Sequence, residues 1–286
     1  MAQKIRETLT VKMTMKKSSA TNLQAQSRVR LRNGARNAPR LQLLAIPGLP
    51  EIQRGADLAD LIVNASQKAG LGFRDCDIVV VAQKIISKAE GSVVSLVSVK
   101  PSEKAEALAA KLKKDARAIE LVLQESRRIL RSERVLITET KHGFVCANAG
   151  IDHSNVPGEE MVALLPRDPD ASAERLAKEL SKRTGKRIAV IVSDTFGRPW
   201  RMGLTNVAIG ASGLPVLVDL RGTKDRQGKP LSATVLAVAD DLASAAGLLM
   251  GKSEGIPVVI VRGYRYKPTM QKAADIIRPA SEDLFP

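Results

Sequence analysis

The sequence predicts an α+β protein, with mixed sheets and packed helices in two lobes, and neither a P-loop nor a Rossmann fold. Three observations lead there. Runs rich in Val and Ile, such as residues 77–82 and 188–192, have the length of buried strands. Amphipathic segments lie between such runs, but without the strict strand–helix alternation of a doubly wound sheet. Neither a Gly-x-x-x-x-Gly-Lys-Ser/Thr loop nor a Gly-x-Gly-x-x-Gly turn occurs in the 286 residues, so any nucleotide must be held by other means.

The elements follow in order. Residues 1–40 are polar, rich in Ser, Asn, Gln and Arg, and without a sustained period, which predicts a mobile basic tail ahead of a catalytic domain at 41–286. A short strand at 41–46 ends in the turn-former Pro47-Gly48-Leu49-Pro50. Leu58, Leu61, Ile62 and Ala65 give 57–68 helical spacing, and Gly70-Leu71-Gly72 stops it. The buried strand at 77–82 feeds a loop that carries Gln83, Lys84, Ser87 and Lys88. Residues 102–130 read as one or two charged helices introduced by Pro101-Ser102, followed by strands near 134–138, 143–147 and 163–165. An amphipathic helix at 170–184 is stopped by Gly185, and 187–193 is a central strand delivering Asp194-Thr195 into a Gly-Arg-Pro loop. A small, Gly-rich stretch at 207–213, a strand at 215–220, a polar loop at 221–230, a helix at 236–250 and a core strand at 258–262 complete the chain.

Composition narrows the function. The net charge of +15 is concentrated in the tail, where ten Lys or Arg face Glu7 alone, a net +9 that leaves +6 for the rest. With 2% aromatic residues there is no base-stacking platform, so nucleic acid is not the expected partner. No apolar run approaches the roughly 18 to 20 residues of a membrane span, which predicts a soluble protein. Two cysteines, Cys76 and Cys146, rule out a disulfide framework and suit a reducing cytoplasm. Both read as small buried apolar residues.

The chemistry concentrates in two segments, Asn148-Ala149-Gly150-Ile151-Asp152-His153-Ser154-Asn155 and Ser193-Asp194-Thr195-Phe196-Gly197-Arg198. Each brings a carboxylate to the end of an apolar stretch among small amide and hydroxyl residues. On one pocket wall, Asp152 and Asp194 would suit a hard divalent cation, with Asn155 and Thr195 adding neutral oxygens. Taken alone, Asp152 also reads as an Asx-turn residue and Asp194 as a strand-ending cap. Lys88 either cancels phosphate charge or is a solvated surface lysine. Arg198 and Arg201, flanking Trp200, either clamp an anion or stack at a surface. His142 and His153 cannot form a zinc triad by themselves, and His153 reads as a surface turn residue.

In this order and spacing, Ile46-Pro47-Gly48-Leu49-Pro50, Ile86-Ser87-Lys88-Ala89-Glu90-Gly91, Asn148 to Asp152 with Ser154-Asn155, Ser193 to Arg198, Val207-Ala208-Ile209-Gly210 and Leu249-Met250-Gly251 resemble the coenzyme F420-0:L-glutamate ligase family. The resemblance runs from about residue 41 to 263. It implies a GTP-dependent, homodimeric ligase that attaches L-glutamate to the deazaflavin precursor F420-0 and extends a γ-linked tail. The implied ions are two of magnesium or manganese, with potassium a further candidate. Carried over by position, Asp152 and Asp194 would hold a first ion and Thr195 a second. Leu49, Pro50, Glu51, Ile52, Gln83, Lys84, Lys88 and Asn155 would line the GTP site. Met250, Gly251, Lys252, Ser253, Glu254, Gly255 and Ile256 would close over the nucleotide. The family often carries Gln or Glu directly after the Met-Gly pair, where this chain has Lys252, and Glu254 is the residue left to act as that ligand. Rival readings are a metal-dependent nucleotide phosphohydrolase and a nucleic-acid-binding protein acting through its tail.

Overall fold

The structure is a computed structural model that describes residues 38–283, so the tail expected over 1–40 lies, apart from its last three residues, outside the described residues. Numbered along the chain, strands β1 (Gln42–Ala45), β2 (Ile78–Ala82), β8 (Ala189–Arg198), β9 (Arg201–Ser212) and β12 (Val258–Arg262) form one five-stranded sheet in the order β1-β12-β2-β8-β9. β2 and β8 are parallel, with Val79 opposite Val190 and Val81 opposite Val192, whereas every other neighbour in the sheet is antiparallel.

These strands read as continuous apolar runs because both faces of the sheet are covered. Side chains alternate across a strand, so Val79, Val81, Val190, Val192 and Ile260 enter one core, against helices α1 (Leu58–Lys68) and α5 (Pro169–Thr184). Their neighbours Ile78, Val80, Ile191, Val259 and Val261 enter a second core, against α6 (Val238–Met250). Local signals fix the helix ends. Asp57 and Asp168 accept hydrogen bonds from the amides of Asp60 and Ala171 at 2.9 Å each, and Gly185 closes α5 in the left-handed conformation. Gly210 lets β9 approach the start of α5 closely, since a Cβ there would collide with the Pro169 carbonyl.

A second lobe is inserted between β2 and α5. Helices α3 (Glu103–Leu112) and α4 (Ala116–Gln124) pack over a three-stranded sheet of β4 (Ser126–Ser132), β5 (Leu136–Thr140) and β6 (Val145–Ala147). It has its own core of Leu96, Ile119, Leu121, Val122, Leu136 and Val162. The ribbon β3 (Val93–Ser95) and β7 (Met161–Ala163) lies where the chain leaves and rejoins the larger lobe. The α+β class and the two lobes match the sequence reading.

Several boundaries differ. Residues 83–90 form a helix, α2 (Gln83–Glu90), rather than a loop, because Ile85, Ile86 and Ala89 present one apolar side to the core and Gly91 caps the end in the left-handed conformation. The helical reading to residue 130 stops at Gln124. There Arg127 and Arg128 turn to pair with Glu139 on the neighbouring strand, the latter at 2.7 Å. The expected loop after Asp194 is also strand: β8 continues to Arg198 and returns as β9 in a long hairpin, with Asp194 opposite Val207 and Thr195 opposite Asn206. The expected strand at 215–220 reduces to β10 (Val218–Asp219), paired with β11 (Val235–Leu236). No helix among the described residues is long and apolar enough to cross a membrane.

Candidate active site

The parallel pairing of β2 with β8 stops at Ala82 opposite Ser193, and the segment leaving β2 together with the next residues of β8 forms the wall of a cavity of about 480 Å³. The cavity lies at the carboxyl ends of parallel strands, where open α/β sheets commonly bind ligands. Gln83, Lys84 and Lys88 reach it from α2, and Ser193, Asp194 and Thr195 from β8. Leu49 to Ile52 come from the turn after β1, and Asp152, Asn155 and Val156 from the second lobe. The loop after α6 contributes Met250 to Ser253 and Gly255 to Pro257. Two segments separated by about forty residues in sequence therefore present their carboxylates to one space.

Asp152 is fixed by its backbone, which exchanges two hydrogen bonds with Ala163 at 3.0 and 2.9 Å. Its Oδ1 accepts from the Ser154 amide at 2.7 Å, an Asx turn, and its Oδ2 meets the Lys84 ammonium at 2.7 Å. Burial acts to raise its pKa, but the Lys84 ammonium and the Ser154 amide and hydroxyl outweigh that and hold the carboxyl below the usual range. The Asx-turn and the cavity readings of this residue are both realised.

Asp194 has the opposite environment. No ion pair forms at its carboxylate among the described residues, and burial pushes its pKa up to about 6. The Thr195 amide works against that shift, the Asp152 charge reinforces it, and Lys84 and Lys252 oppose it from further off. A carboxylate with little water and no ammonium on it suits a cation brought in by a ligand. Among the described residues no group of three or more His, Cys, Asp or Glu gathers as a metal cage. The donors here are the two carboxylates, and they fit a hard ion that would draw its remaining ligands from a bound molecule and water, whereas the Thr195 hydroxyl is already engaged by Asn206 and Lys252.

Lys88 is buried, which excludes a solvated surface lysine, and its ammonium pairs with Glu51 at 2.5 Å. Gln83 is buried at 1% exposure. Its carbonyl accepts from Ser87, while its amide nitrogen has no partner among the described residues and so retains donors for a bound molecule. Thr195 Oγ1 donates toward Asn206 at 3.2 Å and accepts from the Lys252 ammonium at 2.8 Å.

One expected position, Glu254, is placed otherwise, whereas Arg198 and Arg201 take the surface alternative and His153 lies at the surface as expected. Glu254 does not line the cavity: its Oε2 turns back to accept from the amides of Lys252 and Ser253 at 2.8 and 2.9 Å. Gly251 sits beside it with a positive φ of 56°, and a Cβ there would displace that carboxylate. Arg198 and Arg201 lie exposed at the far end of the β8–β9 hairpin, outside the cavity lining, and Arg198 donates to the Met202 carbonyl at 2.8 Å. His153 is exposed and does not line the cavity, and His142 lies against the carbonyls of Pro166 and Arg167.

Residues 48–263 match the family described as F420-0:Gamma-glutamyl ligase. The chain belongs to this family. Similar relatives include the coenzyme F420:L-glutamate ligase of Methanothermobacter thermautotrophicus, 44% identical over 86% of this chain and 98% of the relative. That of Methanocaldococcus jannaschii is 47% identical over 74% of this chain and 86% of its own length. That of Methanopyrus kandleri is 43% identical over 86% and 98%. The family match spans every segment of the cavity wall, from the Gly48 turn to the loop after α6. Within this ligase-family site, sequence reasoning passed over Asn206, Ser193 and the Lys84–Asp152 pair, which only strand register and helix direction bring together.

Proposed function

We propose that this protein is a GTP-dependent ligase that joins L-glutamate to the deazaflavin precursor F420-0 and extends the γ-linked tail. Family membership supports the acceptor and the amino acid. The observation that carries the phosphate chemistry is the meeting of Asp152 and Asp194 with the ammonium groups of Lys84, Lys88 and Lys252 in one cavity.

A carboxylate is unreactive toward an amine because its leaving group would be an oxide. GTP removes that obstacle. An acceptor carboxylate oxygen attacks the γ-phosphorus, the bond to the β-phosphate oxygen breaks, and GDP leaves an acyl phosphate behind. The glutamate amine then attacks the acyl carbon, inorganic phosphate departs, and the amine loses its proton as the amide forms. Asp152 and Asp194, with Thr195 beside them, would hold divalent magnesium or manganese. Once bound, such an ion supplies Lewis-acid stabilisation of the phosphate charge. The chain's own groups do the rest: Lys84 and Lys88 lie at the cavity wall to offset phosphate charge, and the Gln83 amide donates to the bound molecule. The loop from Met250 to Ile256 covers the nucleotide and limits water, which would otherwise hydrolyse the acyl phosphate.

A homodimer belongs to the same reading. The tip of the β8–β9 hairpin exposes Trp200, Met202 and Leu204 at 79, 95 and 66%, an apolar surface that a second copy would cover. The test of function is to incubate the protein with GTP, magnesium, glutamate and F420-0. Glutamate-dependent GDP release with a matching increase in acceptor mass is expected. Release of GDP independent of glutamate, with no change in the acceptor, would make the protein a phosphohydrolase and overturn the reading.

A further inference from the structure

The cavity presents three carboxylates, Glu51, Asp152 and Asp194, and three ammonium groups, Lys84, Lys88 and Lys252. Two of the ammoniums are matched directly: Lys88 lies 2.5 Å from Glu51 and Lys84 lies 2.7 Å from Asp152. The third does not go to the remaining carboxylate. Lys252 Nζ donates instead to Thr195 Oγ1, one residue beyond Asp194, at 2.8 Å.

This is a built position. The Lys252 amide donates to Glu254 Oε2 at 2.8 Å, and its carbonyl accepts from Asn155 Nδ2 at 3.1 Å. The Gly251 backbone before it, with φ of 56° and ψ of −154°, lies in a region open essentially to glycine alone. The backbone is therefore fastened on both sides of the residue while its side chain spans to β8. The Thr195 hydroxyl directs its proton to Asn206 and one lone pair to the ammonium. A divalent ion placed on its other lone pair would lie against a positive charge with no carboxylate between them, which electrostatics disfavours. Among the described residues Asp194 carries no ammonium of its own, and beside Asp152 it is where a cation gains most.

We infer that Lys252 is a resident cation of this site: it supplies, as part of the chain, the positive charge beside Thr195, so that the protein takes up one divalent ion per chain rather than two. This rests on the metal-dependent function proposed for the cavity and deepens it. The consequence is a specific one for the loop after α6. It contributes an ammonium toward the phosphates, while its carboxylate, Glu254, is used to hold the loop in shape.

The experiment counts ions without reference to turnover. The full-length protein is titrated with Mn2+ in the presence of GDP, and free Mn2+ is followed by electron paramagnetic resonance. One ion per chain is expected for the wild type, and two for Lys252→Glu, which trades the ammonium for an oxygen ligand. Lys252 is exposed on a loop, so the exchange leaves the core untouched. Lys252→Gln provides the neutral comparison and is expected to gain a weaker second site. Two ions in the wild type together with intact glutamate ligation would overturn this inference and leave the proposed function standing. One ion in both variants would overturn it equally. No bound Mn2+ in any of the three proteins would overturn the inference and the metal-dependent part of the proposed function together.

Discussion

The parallel strands β2 and β8 have a carboxylate near each end, and the two are treated in opposite ways. Just before β2, Asp77 is 1% exposed and fully satisfied: Arg262 grips both its oxygens at 2.8 and 2.6 Å, and the Arg74 amide donates to it at 2.8 Å. At the carboxyl end, Asp194 is crowded by protein and lacks an ammonium, and burial raises its pKa to about 6. A charged group with every partner in place fastens the β2 and β12 strands together and asks for nothing further. One that is partly buried and has no counter-charge among the described residues carries a penalty that a bound cation would relieve.

The sharpest way to break that comparison is Asp194→Asn. Ligation is expected to fall about 100-fold or more, as when a preorganised electrostatic group is removed. The melting temperature of the ion-free protein should hold or rise, because a penalised charge has gone. A variant that melts earlier and keeps its turnover would reverse the assignment. Asp77→Asn should do the converse. It strands Arg262 in a buried setting and should cost about 3 kcal/mol in urea unfolding, while turnover of the folded fraction stays near wild type. A loss of turnover without a loss of stability would show that the two ends are not separable.

A smaller effect is expected at the loop after α6. Gly251→Ala should displace the Glu254 carboxylate and with it Lys252, weakening GDP binding about tenfold, or about 1.4 kcal/mol, as read by calorimetry. Unchanged affinity would remove this loop from the nucleotide site.

The smallest expected effect concerns the thiols. Burial pushes the Cys146 thiol from an ordinary value of 9.0 up to about 12, with the Asp194 charge adding to the shift. Between those values the unfolded chain has released this proton while the folded chain keeps it. The stability tied to Cys146 is therefore complete below pH 9 and lost as the pH climbs toward 12. Alkylation at about pH 8 should modify Cys76 in the native protein, and both cysteines only in urea. Equal labelling of both in the native state would contradict the burial of Cys146.

Much of this was legible in the sequence because the signals are local. The Val and Ile runs of β2, β8 and β12, the helical spacing of Leu58, Leu61, Ile62 and Ala65 and the Gly185 stop each depend on a few neighbouring residues. The cavity segments were legible through their residue types. Where the reading failed, the deciding contact was distant. Residues 83–90 form a helix because Ile85, Ile86 and Ala89 find a core that no local pattern announces. Residues 194–198 remain strand because β9 returns to pair with them, and Glu254 leaves the cavity because two amides of its own loop capture it. The pairing of Lys84 with Asp152 spans the two lobes, and that of Lys252 with Thr195 crosses from loop to strand. Neither follows from spacing.

The account stands on Asp152 and Asp194 sharing one cation, and Mn2+ titration of Asp152→Asn and Asp194→Asn beside the wild type tests that most directly. Either substitution alone should abolish the same ion, with glutamate-dependent GDP release lost in step. If one variant loses the ion while the other binds Mn2+ with wild-type affinity, the two carboxylates act apart and the account is contradicted.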